Sequence, residues 1–326
     1  MILGLIFAVG GLVVLTLAAD HFVAGAARIA VFYKISPVVI GAVLIGFGTS
    51  APEMVVSGIA AAQGDLDIGV GNIIGSNVAN VSLVLAAAAA VSVIPVSSST
   101  LRREVPISVA SVAVFALLVQ GEISRLEGAL LAALIVTFLV FILRTSSATD
   151  ESFDDDVSEI VGDEPVELWK EAFRALAGLT FVVGSSWFIV DGAGRVADAL
   201  DLSGGFVGFT LVALGTSAPE LVTSVQAARQ GETELLVGNL LGSNVFNSLA
   251  VGGIIGLVGP GPVLDTTMAE TGSLLMVGIV GVSAAFMVVG GAVGRNKAFV
   301  LFFMWVVSVI VLSGGDGVES ALAVMR

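Results

Sequence analysis

Apolar runs long enough to cross a bilayer recur from one end of this chain to the other, separated by short polar breaks. The pattern predicts helices near residues 2–19, 37–62, 69–94, 105–120, 126–143, 172–190, 205–228, 235–258, 268–290 and 298–313. These runs lack the strict polar/apolar alternation of barrel strands, so helices are left as the way to pair every backbone group in lipid. The predicted fold is all-α, with about ten membrane-spanning helices. The first run, MILGLIFAVGGLVVLTLAAD, closes on small residues as a secretory leader does. It has no basic segment ahead of the apolar stretch and reads as the first span.

Polar residues interrupt the apolar pattern in a repeated way. GTSAPE occupies 48–53 and again 215–220; GNIIGSNVAN at 71–80 is echoed by GNLLGSNVFN at 238–247. A constant offset of 167 relates Gly25 to Gly192, Arg28 to Arg195, Gly41 to Gly208, Glu53 to Glu220, Asn72 to Asn239 and Asn80 to Asn247. Roughly half of the pairs between 35 and 80 are identical, and many of the matched residues are Gly, Ser, Thr, Asn, Pro and Glu rather than interchangeable aliphatics. The chain is therefore a duplication: a first half over 1–148 with its motif core at 36–84, a linker at 149–170, and a second half over 171–326 with its core at 203–252. An odd number of spans per half, five, makes the second copy enter the membrane from the opposite side. Inverted repeats of this kind place a substrate site near the midplane, on interrupted helices.

Charge refines the topology. Hydrophobic residues make up 56% and charged residues 12% of the chain, and the net charge is −14. The acids concentrate in TDESFDDDVSEIVGDEPVE, residues 149–167. The triple Asp at 154–156 lacks the spaced ligands and glycine turn of an EF-hand and reads as part of a solvated loop. With the N-terminus outside, Arg28, Lys34, Arg102, Arg103, Arg144, Lys170, Arg174, Arg229, Arg295 and Lys297 fall on the inner side, and Arg125, Arg195 and Arg326 remain outside. Both termini are thus expected to be extracellular and the linker cytoplasmic, in a multi-pass protein of the cell membrane. No cysteine is present, which excludes disulfides, thiolate metal sites and cysteine nucleophiles.

The interruptions carry the candidate chemistry. Pro52 and Pro219 lack an amide proton and break or kink a helix, freeing carbonyl oxygens. Taken alone, each proline is a packing kink. Glu53 and Glu220 are different, because an ionised side chain at the bilayer centre costs about 3 kcal/mol or more and marks a functional site by default. No Lys or Arg lies in the second, third, seventh or eighth predicted span to neutralise them. Ser76 with Asn80, and Ser243 with Asn247, stand four apart on one helical face, extended by Asn72 and Asn239. Gly71, Gly75, Gly238 and Gly242 permit close helix approach. Carboxylates, hydroxyls, amide oxygens and carbonyls, without sulfur or imidazole, select hard cations. Two negative charges balance one Ca2+, and the same oxygens suit Na+.

Repeated GTSAPE and GNIIGSNVAN motifs, inverted about a central linker, closely resemble the two α-repeats of the sodium/calcium exchanger family, within the cation/calcium antiporter superfamily. The resemblance implies alternating access, with helices one and six sliding against an eight-helix body, and extrusion of Ca2+ against Na+ entry. It implies a calcium site of Glu53 and Glu220 with oxygens of Thr49 and Thr216. It further implies sodium sites drawing on Ser50, Ser76 and the carbonyl of Gly46, and on Ser217, Ser243 and the carbonyl of Ala213, with Asn80 and Asn247 completing the centre. Some relatives carry Asp at the position of Asn247; the neutral amide here argues against potassium co-transport. Ca2+ and Na+ are the expected substrates, with no cofactor, no nucleic-acid partner, no enzymatic activity and a monomeric state.

Three other readings compete. A membrane Glu pair also binds protons, which would make the chain a calcium/proton exchanger. A cation channel suits inverted repeats less well than alternating access does. An intramembrane hydrolase would need a base, yet the lone His21 closes the first span, outside the repeated motifs. Arg28 and Arg195 are either anchors for the sliding helices or snorkelling side chains.

Overall fold

The computed structural model describes residues 1–33, 49–145 and 166–314. It is helical, as the apolar pattern predicts. In chain order the helices are α1 (Ile2–Phe32), α2 (Ala51–Gln63), α3 (Leu66–Val91), α4 (Ser98–Arg102), α5 (Glu104–Leu118), α6 (Arg125–Thr145) and α7 (Leu168–Leu200). They continue as α8 (Gly204–Thr216), α9 (Ala218–Gln230), α10 (Thr233–Val258), α11 (Thr267–Val288) and α12 (Arg295–Leu312). Among the described residues seven helices are long and apolar enough to cross a membrane, or eight if the bent pair α8 and α9 counts as one span. The fourth predicted span, 105–120, falls on the 15-residue α5, and the short α4 before it is capped by Ser97 accepting from the Thr100 amide. The second predicted span lies partly outside the described residues.

α1 and α7 extend well beyond the spans predicted at 2–19 and 172–190. Polar residues ended the apolar reading, but they pair instead of breaking the helix. Arg28 Nε lies 3.1 Å from buried Glu171, and Arg195 Nε 2.7 Å from Asp191. Arg174 Nε donates to His21 Nδ1 at 3.2 Å.

The two long helices run antiparallel in close contact. Gly4, Gly11, Ala18 and Gly25 recur every seven residues on α1, opposite Gly192, Ser185 and Gly178 on α7. A Cβ at Gly192 would sit 2.5 Å from the Ala8 amide nitrogen, and one at Gly178 would sit 2.6 Å from that of Phe22. Small residues let the backbones approach as in membrane helix dimers, where packing replaces the hydrophobic effect.

α3 and α10 form the centre, and α3 is buried over most of its length, whereas α6 and α12 turn most of their surface outward. Ile73, Ile74, Val78, Val245, Phe246 and Leu249 from the central pair pack with Phe115, Leu131, Phe209 and Met276. Both central helices widen into a π-helical turn, at Asn80–Val84 and at Phe246–Val251. π-turns insert a residue into the helical ladder and concentrate at functional positions. The side-chain periodicity gave no sign of them.

The duplication is legible in the element bounds. Shifting α2 and α3 by the repeat offset reproduces α9 and α10, and Gly64 and Gly231 both end their helices in the left-handed region, at φ 88° and 85°. Two short antiparallel ladders link the halves: Ile94–Pro95 (β1) pairs with Ala292–Val293 (β4), and Glu122–Ile123 (β2) with Gly261–Pro262 (β3). Exchanging the halves interchanges the ladders.

Candidate cation site

The second GTSAPE motif forms the junction of α8 and α9, which meet at 46°. The chain is bent there without being unwound. Ser217 N still donates to Ala213 O at 2.9 Å, and Leu221 N to Ser217 O at 3.1 Å. Pro219 sits in the first turn of α9, and Pro52 likewise in α2, where a missing amide proton leaves no bond within its own helix unmade. Glu53 and Glu220 stand in the first turns of α2 and α9, at the positive ends of the helix dipoles. Both carboxylates are buried.

The halves meet through these motifs. Ser217 Oγ donates to Glu53 Oε1 at 3.4 Å. Thr216 Oγ1 donates to Asn72 Oδ1 at 3.2 Å, and Asn72 Nδ2 donates to Ser57 Oγ at 2.9 Å. Asn80 Nδ2 donates to Asn244 Oδ1 at 3.1 Å. α2 packs against the π-turn of α10, and α9 against that of α3, so each carboxylate-bearing helix faces the opposite half's central helix.

Buried polar atoms are almost always hydrogen-bonded, and each exception asks for an explanation. Among the described residues, Ser50 Oγ, Glu53 Oε2, Ser76 Oγ, Asn80 Oδ1, Glu220 Oε2, Ser243 Oγ and Asn247 Oδ1 find no partner for their buried oxygens. All of them are oxygens of residues marked by the repeated motifs. Thr216 and Ser217 are buried beside them, with their hydroxyls engaged as above, and Thr49 is half-buried. Gly46 lies outside the described residues. The Ala213 carbonyl, expected to be freed by the break, accepts both Ser217 N and, at 3.3 Å, Thr216 Oγ1. The bend is too slight to release it.

Two carboxylate oxygens, two amide oxygens and three hydroxyls without partners among the described residues make a polar setting that a cation can complete through their lone pairs. Among the described residues no cluster of three or more His, Cys, Asp or Glu is placed to hold a metal, and the oxygens beside the two glutamates belong to neutral Ser, Thr and Asn side chains. Reading by spacing passed over Asn77, Asn244 and Ser248, which join the central helices: Asn77 Nδ2 donates to Ser248 Oγ at 3.1 Å, and Asn244 Nδ2 to Asn77 O at 3.3 Å. Their signal was in the motif itself, since both halves spell GSN.

A family model described as "Sodium/calcium exchanger protein" matches residues 3–144 and 171–314. The chain belongs to this family. The gap in the match falls on the acidic linker. A putative antiporter, CaxA of Alkalimonas amylolytica, is 38% identical over 280 residues, covering 85% of this chain and 87% of that one. The sodium/calcium exchanger MaX1 of Methanosarcina acetivorans is 30% identical and covers 96% of this chain and 97% of its own. Among solved structures, the sodium-calcium exchanger NCX_Mj soaked with Na+ and Sr2+ superposes with a TM-score of 0.64 at 28% identity, over 94% of this chain and 98% of that one. Membership in the family makes this a multi-pass membrane transport protein rather than a catalyst.

Proposed function

We propose that this protein is a secondary antiporter that exchanges Na+ for Ca2+ across the cell membrane by alternating access, normally extruding Ca2+. The observation that carries the reading is the set of buried, partnerless oxygens drawn from both halves: two glutamates, three serines and two asparagines. Protons alone would satisfy the glutamates and leave the hydroxyl and amide oxygens without purpose, whereas Ca2+ takes six to eight oxygens. The relatives named for sodium/calcium exchange support the same ions.

In this proposal Glu53 and Glu220 hold Ca2+ with oxygens of Thr49 and Thr216. Sodium ions occupy flanking sites at Ser50 and Ser76, with the carbonyl of Gly46, and at Ser217 and Ser243, with that of Ala213 once the bend opens further. Asn80 and Asn247 supply central amide oxygens. The chain has ten spans in two inverted five-helix repeats, 1–148 and 171–326, joined by a cytoplasmic linker, with both termini outside. Two features support inversion: the coincidence of element bounds under the repeat offset, and the ladders that interchange when the halves are exchanged. The halves also differ in state, as alternating access requires. Ser57 Oγ is bonded to Asn72, while its counterpart Ser224 Oγ is buried without a partner.

Purified protein in Na+-loaded vesicles should take up radioactive Ca2+ when diluted into Na+-free medium, with saturation and without need of a pH gradient. Uptake driven by a pH gradient and indifferent to Na+ would establish proton exchange instead. External K+ should not stimulate the wild-type protein, since Asn247 adds no third carboxylate.

A further inference from the structure

Asn77 and Asn244 stand beside the serines of the candidate site, at corresponding places in the two halves, and both are fully buried. Neither belongs to the ligand set above. Asn244 donates through Nδ2 to the backbone carbonyl of Asn77 at 3.3 Å, and its Oδ1 accepts from Asn80 Nδ2 at 3.1 Å. A backbone carbonyl only accepts, so the end of the Asn244 amide that faces it must be the NH2. The oxygen of Asn244 then faces Asn80, which has to answer with its own NH2. This order removes the usual ambiguity of an amide's two ends. Its consequence is that Asn80 Oδ1 is turned the other way, where it is buried without a partner.

The mirror-image chain is not made. Asn77 Nδ2 donates to Ser248 Oγ at 3.1 Å and to Met276 Sδ at 3.4 Å, and the Oδ1 atoms of Asn77 and Asn247 both lack partners. Of Asn80 and Asn247, only the first is held by an asparagine amide of the other half among the described residues.

We propose that Asn244 is a positioning residue for cation binding: anchored to the Asn77 carbonyl, it locks the Asn80 amide so that oxygen, never nitrogen, faces the ion. The proposal rests on the reading of Asn80 as an ion ligand. An amide turned end for end would present N–H donors to a cation and replace attraction with repulsion. The contact also crosses between the halves, so a residue of the second repeat sets the ligand offered by the first.

The test compares wild type, Asn244→Leu, Asn80→Asp and the double variant. Calorimetry on the solubilised protein reads Ca2+ affinity, and Na+-driven Ca2+ uptake in vesicles reads KM and kcat. Asn244→Leu should weaken Ca2+ binding and raise KM about tenfold while leaving kcat within about twofold. Aspartate at 80 has oxygen at both ends and needs no orientation, so adding Asn244→Leu to Asn80→Asp should change affinity by less than about twofold. An unchanged affinity in Asn244→Leu, or an equal loss in both backgrounds, would overturn the assignment and leave Asn244 as packing. If the leucine variant does not fold, the Ca2+-bound crystal structure of the wild type decides. Asn80 Oδ1 at about 2.3–2.6 Å from the ion supports the proposal, and an amide nitrogen on that side ends it. Wild type that binds Ca2+ but does not exchange it for Na+ fails the functional reading alone, since the affinity comparison still stands.

Discussion

Glu53 and Glu220 are each buried, each at the start of a helix, and among the described residues neither has a basic side chain as a hydrogen-bond or ion-pair partner. Their negative charge is tolerable only with a counter-ion, because an unpaired buried charge destabilises a fold by several kcal/mol. Replacing either by glutamine should reduce Na+-driven Ca2+ exchange by at least about 100-fold, the scale expected when one member of a buried charge pair is lost. Stability should move the other way. Without ions, Glu53→Gln and Glu220→Gln should unfold at the wild-type temperature or above it, since a buried charge has been removed. Wild type should gain thermal stability on adding Ca2+, because a ligand that binds only the folded state stabilises it by mass action, and the variants should gain less. A Ca2+-induced shift of wild-type size in both variants would show that the ion binds elsewhere.

Helices act here through where they stop and how closely they approach. Pro219 forbids an amide bond to the Gly215 carbonyl, and the α8–α9 junction bends by 46°. In Pro219→Ala that bond can form and the junction can straighten. The expected result is a fall in kcat of about tenfold, equivalent to about 1.4 kcal/mol, with a smaller change in KM. An unaltered kcat would show that the bend is set by packing alone. The α1–α7 pair offers a contrast within one helix. A side chain at Gly192 would meet the α1 backbone, its Cβ 2.5 Å from Ala8 N, whereas one at Gly194 meets nothing within 4 Å. Gly192→Val should therefore lower stability by about 1–3 kcal/mol, as overpacking does, and Gly194→Ala should be neutral within about 0.5 kcal/mol. Thermal unfolding in detergent checks both.

Across the whole molecule, the inverted duplication proposed above would make the two membrane faces alternate versions of one another, and the charges distinguish them. At one end of the α1–α7 pair, Arg28 meets buried Glu171; at the other, Arg195 meets Asp191 on its own helix, because position 4, the counterpart of 171, is a glycine. In the proposed topology the distribution of Lys and Arg puts the Arg28 end inside. A reporter that is active only in the cytoplasm should be silent when fused after Arg326 and active when inserted in the 149–167 linker. The reverse result would invert the topology and, with it, the face from which Ca2+ is taken.

Residue order alone was enough to reveal the helical class, the duplication and the oxygens that turn out to be buried and partnerless. These follow from local facts: apolar length against bilayer thickness, repetition of polar residues, and the cost of charge in lipid. Three features came only from packing in three dimensions. α1 and α7 outrun their apolar stretches because Arg28 and His21 find partners on the opposite helix, far away in the chain. The π-turns after Ala79 and Val245 arise where central helices cross, and leave no trace in periodicity. The pinning of Asn80 depends on Asn244 of the other half, held by the Asn77 carbonyl, a contact that no reading of spacing within one helix can show.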